Sequence, residues 1–134
     1  MSPGTHGFSS VVTLARWLVD EGLLDDAWVE AVHPDEGRVE LLLQLITDPP
    51  PGTARGDHRW WSQRTTDDVL PWTLTGGAVT GEGRGRIVGY RYEPDGDAPT
   101  GLRLELERGE SLRIPSAEWR VDVHAIRRGV PRLG

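Results

Sequence analysis

Trp60 and Trp61 are the only two aromatic residues that are adjacent in this sequence, and arginines flank them. Tryptophan and arginine dominate the binding hot spots of protein interfaces. Neighbouring side chains of an extended segment point to opposite sides, so both rings cannot enter one core. We therefore predict a partner-binding segment; the alternative is that the rings anchor their own loop. The predicted partner-binding residues are Asp57, His58, Arg59, Trp60, Trp61 and Arg64.

A second set of aromatic residues and arginines predicts a different site, a pocket for a small molecule. The aromatic members lie in segments with strand periodicity, and the arginines follow a glycine-rich turn. Small curved sheets and barrels either hold a ligand or are filled by side chains. If a pocket forms, we expect its lining to be Trp72, Tyr90, Tyr92 and Trp119, with Arg84 and Arg86 at its mouth.

The residues that could support catalysis or bind a metal form no recognisable motif. Because the chain has no cysteine, thiol nucleophiles, disulfides and cysteine zinc sites are excluded. The glycine-rich segment 81–86 lacks the Lys-Ser/Thr of a P-loop, and no helix is predicted after it. Asp122 and His124 share one face of a strand, but four scattered histidines are not a metal motif. We predict no catalytic residue, metal or cofactor, and a non-enzymatic role is preferred.

The charge of the chain bears on its partners. The net charge is −6, and all 15 basic residues are arginine. Nucleic acid is not an expected partner, because binding to phosphates requires a basic surface. Apolar runs fall far short of the roughly 20 residues that span a bilayer, and residues 1–10 lack the basic start of a secretory signal. We expect a cytoplasmic protein without a membrane, whose partner is another, basic protein; the oligomeric state stays open.

Hydrophobic periodicity predicts one helix followed by strands. Val11, Leu14, Ala15 and Leu18 recur at helical spacing, so we place a helix at 10–21. After it the period changes to two, and turn residues separate about seven strands, for which successive hairpins favour an antiparallel meander. The predicted fold class is α+β: one N-terminal helix packed on a mostly antiparallel, about seven-stranded curved sheet or partial barrel.

The length of 134 residues predicts one domain, residues 1–134. Residues 1–8 are small and polar, so we expect a loose N-terminus. Residues 48–71 contain three consecutive prolines and no periodicity, which predicts a long loop. Residues 127–134 carry three arginines and are expected to form a basic tail.

Two parts of the chain resemble small β-rich bacterial immunity proteins of polymorphic toxin systems. The first is the segment 23–32 followed by the Gly37 turn and Val39–Leu43, and the second comprises 101–114 and 119–123. The resemblance implies inhibition of a toxin by binding and supplies no site residues, and the insert 48–71 departs from its pattern. We predict a non-enzymatic protein-binding module, an immunity-like inhibitor or an accessory subunit of a bacterial complex. The alternative is a small-molecule-binding, barrel-like protein or a small enzyme with an aromatic-lined pocket.

Overall fold

Nine strands, two α-helices and one short 3₁₀ helix are formed by the residues that the computed structural model describes, which are 3–45, 52, 59–94, 96 and 98–133. The helices are α1 (Val11–Asp20) and α2 (Arg59–Gln63), and the 3₁₀ helix is Pro34–Glu36. The strands are β1 (Gly4–Phe8), β2 (Ala27–His33), β3 (Arg38–Gln44), β4 (Thr66–Thr75), β5 (Gly85–Glu93), β6 (Gly101–Leu106), β7 (Ser111–Pro115), β8 (Trp119–Val123) and β9 (Arg127–Pro131).

The strands form one antiparallel sheet that is not closed. Its order is β1-β8-β4-β3-β2-β5-β6-β7, and β9 pairs with β4. This confirms the predicted α+β class with one N-terminal helix and a curved sheet, although the described residues form two strands and a second short α-helix more than expected. The simple meander was wrong, because β8 lies between β1 and β4, and β5 lies beside β2 rather than beside β4.

Helix α1 begins and ends at the residues that the sequence indicates. The Ser10 hydroxyl accepts hydrogen bonds from the Val12 and Thr13 amides at 3.2 and 3.5 Å, which caps the first turn. At the other end Gly22 has a φ of +70°, and the Leu23 amide donates to the Leu18 carbonyl at 2.9 Å. This Schellman geometry turns the chain and buries the Leu23 side chain completely. The helix prediction is therefore confirmed.

Strand β4 is the longest strand and connects most of the molecule. Along one edge it pairs with β3, and along the other it pairs with β8 through residues 72–75 and with β9 through residues 66–69. Pro71 lies between these two halves. The Pro71 carbonyl accepts a hydrogen bond from the His124 amide at 2.9 Å, so the polar groups of Pro71 face the gap between β8 and β9. Because no strand of the described residues lies opposite Pro71 there, its missing N–H removes no hydrogen bond from the sheet.

The pairing of β4 corrects two boundaries predicted from the sequence. Residues 66–71 belong to a strand and 59–63 to a helix, so these residues do not form the loop predicted for 48–71. Residues 127–131 form β9, so the predicted basic tail 127–134 is mostly part of the sheet. The local sequence did not indicate these strands, because Pro71 is unfavourable in a strand unless its missing N–H faces a gap in the ladder, as it does here.

The predicted loose N-terminus, residues 1–8, was also wrong for its second half. Gly4–Phe8 form β1 and pair with β8 in regular register. The His6 and Phe8 rings lie 4.7 and 5.2 Å from the Trp17 ring of α1. Gly4 and Gly7 hid this alternation, because glycine adds no apolar signal.

The two faces of the central strands have different surroundings. Leu41 and Trp72 are opposite each other on β3 and β4 and belong to the core that α1 covers. Leu42 and Pro71, one residue further along each strand, form the next pair and therefore lie on the other face. Both residues are buried, so this second face is also partly covered.

Gly37 ends the 3₁₀ helix at a place where a side chain has no room. Its φ is +61°, and a Cβ atom there would lie 2.5 Å from the Gly76 carbonyl oxygen. We predict that Gly37→Ala lowers the free energy of unfolding by about 2–4 kcal/mol, measured by urea denaturation. Two costs add: alanine is strained in the left-handed backbone conformation, and its Cβ atom would displace the Gly76 carbonyl.

The matched control is Gly7→Ala on β1. A Cβ atom at Gly7 would have its nearest neighbour at 4.0 Å. This substitution should change stability by less than about 0.5 kcal/mol. Equal losses for the two variants would contradict the packing described for Gly37.

Candidate functional site

The second face of the central strands forms the floor of a cavity of about 670 Å³. Trp28 of β2 pairs with Leu42 of β3 on one side and with Arg86 of β5 on the other. Because Ala27 and Val29 are core residues, alternation turns Trp28 away from the core. The apolar lining of this cavity includes Trp28, Leu42, Val69, Val130, Pro131 and Leu133.

The polar lining of the cavity is mainly cationic. Four arginines and two glutamates contribute to it. Arg86 forms an ion pair with Asp26 at 3.3 Å. In the part of the chain that the structure describes, the other three arginines form no ion pair. The arginines are Arg84, Arg86, Arg108 and Arg127, and the glutamates are Glu30 and Glu107.

The two walls of the cavity come from opposite sides of its floor. In the sheet order, β9 lies beyond β4 and β5 lies beyond β2. Arg127 therefore stands on one wall and Arg84 on the other. The Glu107 amide donates to the Arg86 carbonyl at 2.9 Å, which fixes the turn that carries Arg108 beside β5.

A second cavity of about 310 Å³ adjoins the first. Both cavities are lined by Trp28 and Arg86, so they form one continuous concave surface. Trp61 and Arg64 line only the second cavity. The Arg64 Cζ atom lies 4.0 Å from the centre of the Trp61 ring, in cation–π geometry. The Trp60 ring meets the Trp61 ring edge-on at 5.4 Å.

Asp67 holds one residue of each cavity, Arg64 and Leu133. Its carboxylate is 4% exposed and accepts hydrogen bonds from Arg64 Nε at 2.6 Å, from the Leu133 amide at 2.9 Å and from Gln44 Nε2 at 3.3 Å. Burial raises the pKa of Asp67, but these hydrogen bonds and the Arg64 charge together outweigh it, so the pKa lies below that of an ordinary aspartate. Arg132 adds a bond from its guanidinium to the Ser62 carbonyl at 2.7 Å.

The predicted partner-binding residues fall partly on this surface. Asp57 and His58 lie outside the described residues. Arg59, Trp60 and Trp61 belong to α2 rather than to a loop, and both tryptophans are half-buried. Trp61 is packed beneath Arg64, which is the anchoring role that the sequence left as an alternative. This packing does not test whether the segment binds a partner.

The predicted aromatic pocket has a different outcome. Trp72 and Trp119 are 0% and 3% exposed and pack inside the core rather than around a pocket. Tyr92 packs against that core, and Tyr90 is 38% exposed beside it. The side chains of α1 fill the space that a ligand was expected to take. Arg84 and Arg86 do line a cavity, but it lies on the other face of the sheet.

Sequence reasoning missed several cavity residues. Trp28 was not among the predicted site residues, although Ala27 and Val29 are core residues and alternation places Trp28 on the opposite face. Arg127 and Val130 were assigned to a solvated tail. A pattern of apolar residues between arginines after Val123 was the available signal for a further strand.

The described residues contain no group of three or more histidine, aspartate or glutamate side chains that could hold a metal ion. They also include no helix of the length and apolarity that crossing a membrane requires. No family model, curated protein or solved structure shows significant similarity to the chain. The resemblance to immunity proteins therefore stays a prediction.

The Asp67 network predicts a defined pH dependence of stability. Asp67→Asn should lower the free energy of unfolding at pH 7 by about 2–3 kcal/mol, because a charge-assisted network loses its acceptor. The pKa of Asp67 is lower in the folded state than in the unfolded state, where it is about 3.9. The ionised carboxylate therefore stabilises the fold above about pH 3.9, and this stabilisation is lost as the pH falls through the pKa of the folded state. The difference between wild type and variant should therefore shrink below about pH 4, measured by urea denaturation.

The control for this titration is Asp35→Asn. Asp35 is exposed in the 3₁₀ helix. Its substitution should change stability by no more than about 0.5 kcal/mol at either pH. A difference between wild type and Asp67→Asn that is constant from pH 7 to pH 3 would refute the ionised network.

Proposed function

We propose that this chain is a non-enzymatic protein-binding module, an immunity-like inhibitor or an accessory subunit, and that its partner docks across the continuous concave surface beside α2. One observation carries this proposal: Trp28 and Arg86 belong to both cavities and so join the α2 residues to the sheet. Tryptophan and arginine clustered around a concavity are the residues that form hot spots.

The rigidity of this surface supports the same proposal. Arg64 stacks on Trp61, donates to the Trp61 carbonyl at 2.7 Å and pairs with the buried Asp67. Side chains that are already fixed before binding lose little conformational entropy when a partner docks. The net charge of −6 would steer a basic partner toward the chain over longer distances.

A small-molecule-binding protein is the second candidate. The volume of the larger cavity, about 670 Å³, favours it. Ligand sites typically enclose about 300–1,000 Å³ and combine an apolar lining with a few polar groups. This site differs from the aromatic pocket expected from the sequence, because Trp28 is the only tryptophan that lines it among the described residues.

The docking surface can be tested by affinity capture from the source organism with quantitative mass spectrometry. We expect Trp60→Ala/Trp61→Ala and, separately, Arg86→Ala to reduce recovery of the same partner at least roughly tenfold, because hot-spot losses of about 2 kcal/mol correspond to more than that. Arg86 is half-exposed, so its removal should leave the fold intact.

Val19→Ala provides the control for this capture. Val19 is 49% exposed on α1, which covers the opposite face of the sheet. The Val19→Ala substitution shortens an exposed apolar side chain, and Val19 lines neither cavity. If the tryptophan and Arg86 variants recover every partner as well as Val19→Ala does, the proposed surface is not the binding surface.

A further inference from the structure

We infer that the larger cavity binds a small apolar molecule that carries an oxyanion such as a carboxylate. This inference rests on the second candidate of the proposed function and names the ligand class. The apolar body would lie against Trp28, Val130 and Leu133, which line the cavity and are half-buried. The oxyanion would lie at the rim, where the arginines stand.

The charge of the cavity is the first argument for an anion. Arg84, Arg108 and Arg127 have no ion-pair partner in the described part of the chain, whereas Arg86 is held by Asp26. Guanidinium groups bind carboxylates and phosphates through two parallel hydrogen bonds. Four arginines against two glutamates make this lining positive in a chain whose net charge is −6.

The contrast with the rest of the chain is the second argument. Because like charges placed together are repulsive, the arginines of this cavity favour an acidic group, whereas the net charge of −6 of the whole chain favours basic ones. A small anion would pair with these arginines.

The apolar floor is the third argument, because it distinguishes an amphipathic ligand from a free inorganic ion. Trp28, Val130 and Leu133 are half-buried and Pro131 is exposed, so these residues offer apolar surface to the cavity, whereas Leu42 and Val69 are only 7% and 0% exposed. Trp28 Nε1 is buried and has no hydrogen-bond partner among the described residues. A simple anion would leave this apolar surface uncovered, whereas an attached hydrocarbon body would remove it from water.

The test uses octanoate as the anionic probe, octan-1-ol as its neutral counterpart and acetate as the head group alone. Binding to the full chain is measured by calorimetry and by the shift of the Trp28 indole N–H in ¹H–¹⁵N spectra. We expect octanoate to bind at least roughly tenfold more tightly than octan-1-ol, since each charge-assisted contact contributes about that factor. Acetate should bind more weakly than either.

Two triple variants that change the net charge equally separate the local site from the overall charge. Arg84→Gln/Arg108→Gln/Arg127→Gln should weaken octanoate binding at least roughly tenfold and leave octan-1-ol unaffected. The matched control is Arg91→Gln/Arg113→Gln/Arg120→Gln, whose arginines are exposed and paired elsewhere on the surface. The control should bind octanoate as wild type does, and both proteins should melt near the wild-type temperature.

The possible failures are distinguishable. Equal affinity for octanoate and octan-1-ol, or equal loss in both triple variants, would overturn the anionic ligand class while leaving a small-molecule site in place. No binding of any probe, with no shift at Trp28, would overturn the small-molecule candidate together with the inference.

Discussion

Strand β4 has to satisfy hydrogen bonds along ten residues, and its neighbours on one edge are too short to do so alone. Two successive strands, β8 and β9, share that edge, and Pro71 lies at the interruption between them. The free end of β9 is then held by the buried carboxylate of Asp67, which accepts from the Leu133 amide. Arg132 adds bonds from its amide to the Thr65 carbonyl at 3.1 Å and from its guanidinium to the Ser62 carbonyl at 2.7 Å.

The position of the C-terminal residues creates the candidate site. Because β9 lies beyond β4 and β5 lies beyond β2, the second face of the central strands becomes a floor between two walls. Asp67 also holds Arg64, which covers Trp61 in the adjoining cavity. One buried carboxylate thus holds a residue of each cavity, Leu133 in the larger and Arg64 in the adjoining one.

The sequence predicted the features that depend on local pattern. The helical spacing of Val11, Leu14, Ala15 and Leu18 carries its own signal, and the helix that it predicted was confirmed. The cavity depends instead on long-range pairing. Arg127 became a cavity residue only because β9 pairs with β4, and no local pattern indicates which strand it will join.

The role of the Trp60–Trp61 pair is another feature that local sequence pattern does not determine. Its composition predicted a binding segment that included Arg64, and the structure shows that Arg64 contacts Asp67 and Trp61. Sequence could not separate anchoring from binding, because that distinction depends on which face of a short helix meets the sheet. The aromatic pocket failed for a related reason, since α1 fills the core around Trp72.

Native-state hydrogen exchange at the Leu133 amide measures whether Asp67 holds this wall of the cavity, because the amide lies outside the strands and donates to Asp67 Oδ2 at 2.9 Å. We expect this amide to exchange at least roughly a hundredfold more slowly than in an unstructured peptide at pH 7. Exchange at the peptide rate would show that the Asp67 carboxylate does not hold the wall in place.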